Sequence, residues 1–376
     1  MDSDPDALSK LSVLRRQYLQ LVEPTQLFWP DAHILKAPSI QSWAFRCLFD
    51  VNNIPYLPPD RYRLRVLKLL ISKLEESMKD PEEDVWFFLS CPRVLPSTRL
   101  PDILDDLMTA LASLLSSNLP SESASAQQKA YVTYSYPLHS TNDRTFGEYT
   151  VTLLESRSVI SSSGTTGLRT WEAALLLGAF LVSQQGRQIV QGKKIFELGA
   201  GTGMLSILCA KYLGVSGIVA TDGDEAVVDA IKTNVFLNGQ DTSDLSHPIV
   251  QTAALKWGWP VDGRSFAEDY GMEVPDVVLG ADVTYDRSVI PSLVSTLREF
   301  MDLNSSLQVF IAATIRNDQT FETFQTACRR YGFKSELVDF APVPRHVQDG
   351  PFYPTATPIQ IWRISRPQRP RDLFPF

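Results

Sequence analysis

The chain has 376 residues, of which 44% are hydrophobic and 21% charged, and its formal net charge is −8. That length accommodates one large or two ordinary domains, and the composition is that of a soluble globular protein. An acidic balance argues against non-specific binding to nucleic-acid phosphates, which depends on cationic surface, so no direct nucleic-acid partner is expected, although a local basic patch stays open.

Residues 7–22, 61–78 and 101–115 repeat apolar side chains at three- and four-residue spacing, which predicts helices. Prolines at 24, 30, 38, 55, 58 and 59 break the connections between them. Residues 116–128 are Ser-rich and polar and are expected to be a linker. The expected first domain is therefore helical, over 1–120. It serves either to recognise a substrate or to cap and stabilise the second domain.

Residues 129–138 and 146–160 alternate and are rich in aromatic and β-branched side chains, consistent with a β-hairpin. From Gly167 onward strand and helix patterns alternate. Helices are predicted at 171–184, 204–213, 225–237, 288–302 and 319–331. Strands are predicted at 194–198, 217–221, 249–254, 276–281, 307–314, 333–340 and 357–364, the last two closing the sheet as an antiparallel hairpin. Such alternation argues for a doubly wound α/β sheet, here spanning 129–365 with the hairpin at its start. The Pro-rich end, 366–376, is expected to be a flexible tail.

The longest apolar run, Ala173 to Val182, is too short to span a bilayer, and residues 1–30 show no secretory signal, so no membrane partner is expected. Cys47, Cys91, Cys209 and Cys328 lie far apart without a CxxC pair, the pattern of reduced thiols in a cytoplasmic protein. The four histidines are scattered, and no metal site is expected.

The stretch Lys193 to Gly203, KKIFELGAGTG, joins a buried strand to a glycine-rich turn, and an apolar-faced helix comes next. Gly199, Gly201 and Gly203, with Ala200 between the first two, let the backbone turn tightly and approach a ligand. The dinucleotide fingerprint requires a third glycine or alanine where this chain has Met204, which disfavours an oxidoreductase. Glu197 stands two residues before the first glycine, where a pyrophosphate would be repelled. S-Adenosylmethionine carries an ammonium and a sulfonium and no phosphate, so an acid beside its amino-acid end is favourable. Asp222 ends the next strand, placed to accept bonds from ribose hydroxyls.

Three further groups narrow the reading. TTGLRTWEAALLL (165–177) starts a helix, with Thr170 expected as its cap and Trp171 in its first turn. Trp257 comes after the third strand, where an indole either stacks on adenine or caps the core. Asp282 and Tyr285 come after the fourth strand, VVLGA, which ends in Ala281.

Together these stretches resemble the seven-β-strand, Rossmann-like protein-lysine methyltransferases of methyltransferase family 21. The TG-x-x-TW-[DE]-A-A helix start, the ELGAGTG turn, the tryptophan after the third strand and the D-x-x-Y motif occur in order over 165–286. The resemblance continues through IAATIRN (311–317) and FYPTATPIQIW (352–362). With the helical extension, the last segment looks most like the members that methylate a lysine of translation elongation factor 2. By position, the resemblance implies S-adenosylmethionine contacts from Trp171, Glu197, Gly199, Ala200, Gly201, Gly203, Asp222, Trp257 and Ala281. Asp282 and Tyr285 are implied to form part of the lysine channel; Asp282 is then expected to orient the incoming ammonium before deprotonation, and Tyr285 to line or close the channel. The same cofactor site would also serve a methyltransferase acting on another protein, RNA or a small molecule, or a binding protein of this fold that lost catalysis.

Overall fold

The computed structural model describes residues 5–78, 102–138, 147–156, 166–242 and 249–367. Thr165, residues 157–160 of the second β stretch, Cys91 and 368–376 of the expected tail lie outside them. The chain divides into two compact units, Met1–Tyr134 and Ser135–Phe376.

The first unit is helical, with principal helices α1 (Pro5–Leu19), α2 (Ala32–Leu35), α3 (Pro38–Ala44), α4 (Asp60–Met78), α5 (Asp105–Ser116) and α6 (Glu122–Gln127). In α4 the buried residues Val66, Leu67, Leu70, Ile71 and Leu74 fall at helical spacing, so one face enters a core containing Leu11, Leu14, Leu48 and Leu107. Buried Gln41 fastens α3 to the chain entering α5, donating to Asp102 O at 3.3 Å and accepting from Leu104 N at 2.8 Å. The linker expected at 116–128 is in part a helix: the Ser121 hydroxyl accepts the Ala124 N–H at 3.2 Å and caps α6. A serine that looks like linker composition is here the helix's N-terminal cap.

Strands β1 (Lys129–Pro137) and β2 (Glu148–Ser156) form a two-stranded sheet. The second unit continues with α7 (Glu172–Val182), α8 (Gln184–Val190), β3 (Lys194–Leu198), α9 (Met204–Tyr212), β4 (Gly217–Asp222), α10 (Glu225–Leu237) and β5 (Val250–Ala254). It ends with α11 (Phe266–Tyr270), β6 (Val277–Ala281), α12 (Ile290–Leu303), β7 (Gln308–Thr314), α13 (Asp318–Arg330), β8 (Lys334–Leu337) and β9 (Ile359–Ser365).

The seven strands β3 to β9 form one sheet in the order β5-β4-β3-β6-β7-β9-β8. Strands β3 to β7 run parallel, whereas β9 is antiparallel to both β7 and β8. The expected doubly wound sheet with an antiparallel closing pair is therefore present, although β8 is only four residues long. Ile195, Phe196, Leu198, Val219, Ala220 and Val278 are at most 1% exposed, as expected where helices cover both faces of a parallel sheet. Phe196 packs on Phe300 with ring centroids 4.7 Å apart, joining β3 to α12. Leaving β3 the chain crosses to β4, and leaving β6 it crosses the other way to β7. The order thus reverses between two neighbouring strands, and a crevice opens at their carboxyl ends.

Candidate active site

A cavity of about 700 Å³ occupies that crevice. Trp171, Glu197, Gly199, Ala200, Gly201, Asp222, Trp257, Ala281, Asp282 and Tyr285 all line it. Gly203 does not. It is the left-handed N-cap of α9, at φ 81°, and its N–H bonds Ala200 O at 2.9 Å.

The turn after β3 builds one side. Gly199 has φ 64°, and a Cβ there would stand 2.8 Å from Val283 Cγ1 and 3.2 Å from Trp257 Cζ2, so only glycine lets the chain pass under the indole. The Gly201 N–H and the Asp224 N–H each bond Asp222, both at 3.2 Å, fixing its carboxylate at the end of β4. Burial nevertheless raises the Asp222 pKa. Glu197 is 2% exposed and accepts the Ser206 N–H at 3.0 Å and the Ser206 hydroxyl. Desolvation outweighs those bonds and lifts its pKa from the usual 4.5 to about 7.

Sequence reasoning missed the support behind this turn. Thr170, expected to cap α7, does not: Trp171 is the N-cap, and neither residue's side chain caps the helix. The Thr170 hydroxyl instead donates to buried Glu155 and lies 2.6 Å from the Thr202 hydroxyl, joining β2, the start of α7 and the glycine turn. Asn234 of α10 donates to Thr202 O at 2.9 Å. No sequence spacing relates these four residues.

The turn after β6 builds the other side. Asp282 is a non-glycine residue with φ 54° and is 8% exposed. Its Oδ1 accepts Thr314 N–H at 2.8 Å, and its Oδ2 accepts the Thr314 hydroxyl at 3.0 Å and Arg316 Nη2 at 3.4 Å. Burial raises its pKa against the opposing pull of Thr314 and Arg316. Arg316 Nη2 also bonds Glu172 Oε2 at 3.2 Å. The Trp171 indole donates to Thr166 O at 3.2 Å and lies under two guanidinium groups, those of Arg169 and Arg316. Tyr285 lines the cavity while 62% exposed, which marks the open side. The segment IAATIRN carries part of the family resemblance, but nothing in its pattern singles out Thr314 or Arg316.

A backbone cradle, one buried and one part-buried acid and an indole thus face a second acidic and aromatic cluster across one cavity. The family model described as lysine methyltransferase matches residues 157–329. Over 351 residues the chain is 46% identical to the protein-lysine N-methyltransferase EFM3 of Chaetomium thermophilum, a match covering 93% of this chain and 96% of that protein. The chain belongs to the lysine methyltransferase family. It is also 33% identical over 229 residues to EFM3 of Saccharomyces cerevisiae, covering 56% of this chain and 64% of that protein. It is 33% identical over 206 residues to the protein-lysine N-methyltransferase EEF2KMT of Homo sapiens, covering 53% and 58%. Those two matches span less than two thirds of the relatives' lengths.

A protein-lysine N-methyltransferase must bring a flexible side-chain amine to the reacting carbon from outside. Tyr285 lines the cavity beside Asp282 while remaining exposed. Among the described residues no helix is long and apolar enough to cross a membrane, and no cluster of three or more His, Cys, Asp or Glu gathers as a metal site.

Proposed function

We propose that this methyltransferase transfers a methyl group from S-adenosylmethionine to a lysine of translation elongation factor 2, and that it does so in the cytoplasm. The observation that carries the cofactor half is the convergence of the Glu197 to Gly201 turn, Asp222 and Trp257 on one cavity. These groups fit the donor's chemistry. Two acids accept from an ammonium and from ribose hydroxyls, an indole offers a face to adenine, and the glycine at 199 admits the ligand to the backbone. Ala281 and Trp171 complete the walls. When bound, the donor supplies a methyl group on a positively charged sulfur.

The chain's own residues do the rest. A free lysine side chain has a pKa of about 10.4, so it enters as an ammonium. Asp282 receives and orients that ammonium, and Tyr285 lines the passage. Removal from water beside the apolar walls then favours loss of the proton to solvent at the open side. Asp282 and Tyr285 would then hold the neutral nitrogen ready to take up the methyl group, and the donor would keep the electrons of the carbon–sulfur bond. Positioning supplies the acceleration, and no strong base is needed.

The substrate reading is supported by the likeness to the human relative named EEF2KMT and by the helical region preceding the catalytic unit. In this reading residues 1–120 recognise the substrate protein. The test is transfer of labelled methyl groups into purified elongation factor 2, with mass mapping of the product. Labelling at one lysine is expected, reduced in Asp222→Ala, whose donor affinity should fall by about 1–3 kcal/mol by calorimetry. Labelling of a different protein in whole extract, with none in the elongation factor, would discard that substrate.

A further inference from the structure

The cation Arg316 stands among the acids of the Asp282 side. Arg316 Nη2 lies 3.2 Å from Glu172 Oε2 and 3.4 Å from Asp282 Oδ2, and its guanidinium carbon is 5.2 Å from the Trp171 ring centre. Two carboxylates beside an indole make a recognition set for any alkylammonium. Here the chain fills that set with its own arginine. The substrate's nitrogen must be positively charged to be attracted to such acids, but it must be neutral to react. Two uncompensated anions beside it would hold the proton in place.

We infer that Arg316 is a positioning and charge-balancing residue: by pairing with Glu172 and Asp282 it sets the pH at which the bound lysine releases its proton. The inference rests on reading this cavity as the transfer site. With Arg316 present the trio carries one net negative charge, and without it two. Thr314 would still donate two bonds to Asp282, which favour its ionised form when the arginine is removed. The other charged and titratable groups nearby are Arg169 over the same indole, Tyr285 on the β6 turn, and Lys256, Glu197, Asp222 and Asp224 along the cavity wall. Substituting Arg316 should leave all of these in place, which makes the change in charge local.

The test is the pH profile of methyl transfer by the full-length chain into the protein that the parent enzyme labels. In Arg316→Gln the rising limb of log kcat should move up by about one pH unit. That is a loss of about tenfold near neutral pH, recovered in alkali. KM for the protein substrate should stay level or fall, and donor affinity by calorimetry should not change. Arg316→Lys should keep the parent's limb. The double variant Glu172→Gln with Arg316→Gln restores a single net negative charge and should return the limb toward the parent's position. A uniform loss at every pH, or a double variant slower than Arg316→Gln, would overturn the inference, because either is what a purely structural arginine produces. Silence of the parent on every protein offered would overturn the transfer-site reading first, and is seen before any variant is made.

Discussion

Neighbouring strands β3 and β6 each lead into a residue with left-handed backbone, Gly199 at φ 64° and Asp282 at φ 54°. At Gly199 the side chain is absent because any Cβ would meet Val283 and Trp257. At Asp282 the side chain is the purpose of the turn. The strain of a left-handed non-glycine residue, about 1–2 kcal/mol, is offset by the bonds from Thr314 and Arg316. One turn clears space so that main chain can approach a ligand, and the other uses backbone strain to hold a carboxylate at a fixed point. In the proposed function the first turn serves the cofactor and the second the reacting group.

The sharpest way to break this contrast is to give the first turn a side chain. Gly199→Ala places a methyl 2.8 Å from Val283 Cγ1, a residue only 3% exposed and unable to swing away, in a backbone region alanine disfavours. Donor affinity should fall about 100-fold, or about 3 kcal/mol, in a calorimetric titration. Circular dichroism would show whether the fold survives, and an unchanged affinity in a folded variant would show that the turn does not carry donor binding.

A smaller effect is expected from Glu197→Gln. The folded chain holds the Glu197 carboxyl at a pKa of about 7, against the usual 4.5. Between those values the folded state keeps a proton that the unfolded state has lost, so stability falls as pH rises from 4.5 to 7. Above pH 7 the buried anion costs the full amount, and glutamine removes that cost. The variant should be more stable than the parent at about pH 8 by on the order of 2 kcal/mol, with the gain vanishing near pH 4.5. Thermal melts at the two pH values check this. In the proposed reading, where this acid accepts from the donor's ammonium, donor binding should weaken at the same time.

The first turn is readable in the sequence and the second only in part, for a physical reason. Strand β3, its glycines and Glu197 form one continuous stretch, and the apolar runs of the parallel strands announce a sheet covered on both faces. Asp282 is recognisable beside Tyr285. Its partners Thr314 and Arg316 lie 32 and 34 residues further on, and only the pairing of Ala281 with Ala312 in β6 and β7 brings them together. Thr170 shows the same limit. Its place before a helix suggests a cap, while the fold turns its hydroxyl to Glu155 and Thr202. Gly203 fits the motif yet serves the start of α9, where a Cβ would press on Ile231 at 2.9 Å. Local pattern records what a segment does alone. It is silent on contacts that exist only once distant strands are registered.

The mildest change belongs to the second turn. Asp282→Asn keeps the shape, and asparagine is among the residues that tolerate left-handed backbone, so Oδ1 can still accept the Thr314 N–H and the fold should lose no more than about 1 kcal/mol. Alanine would confound lost charge with backbone strain, and asparagine separates them. Arg316 would then face Glu172 alone, and the trio's net charge would be zero. Weaker attraction for the incoming ammonium should raise KM for the protein substrate about three- to tenfold, with donor affinity unaltered. Fewer anions around the bound amine should also ease its deprotonation, so the rising limb of the pH profile moves down, opposite to Arg316→Gln. Limbs displaced in opposite directions by two substitutions on one ion pair are the signature of local charge. Displacement in the same direction would mean that both variants act by loosening the turn.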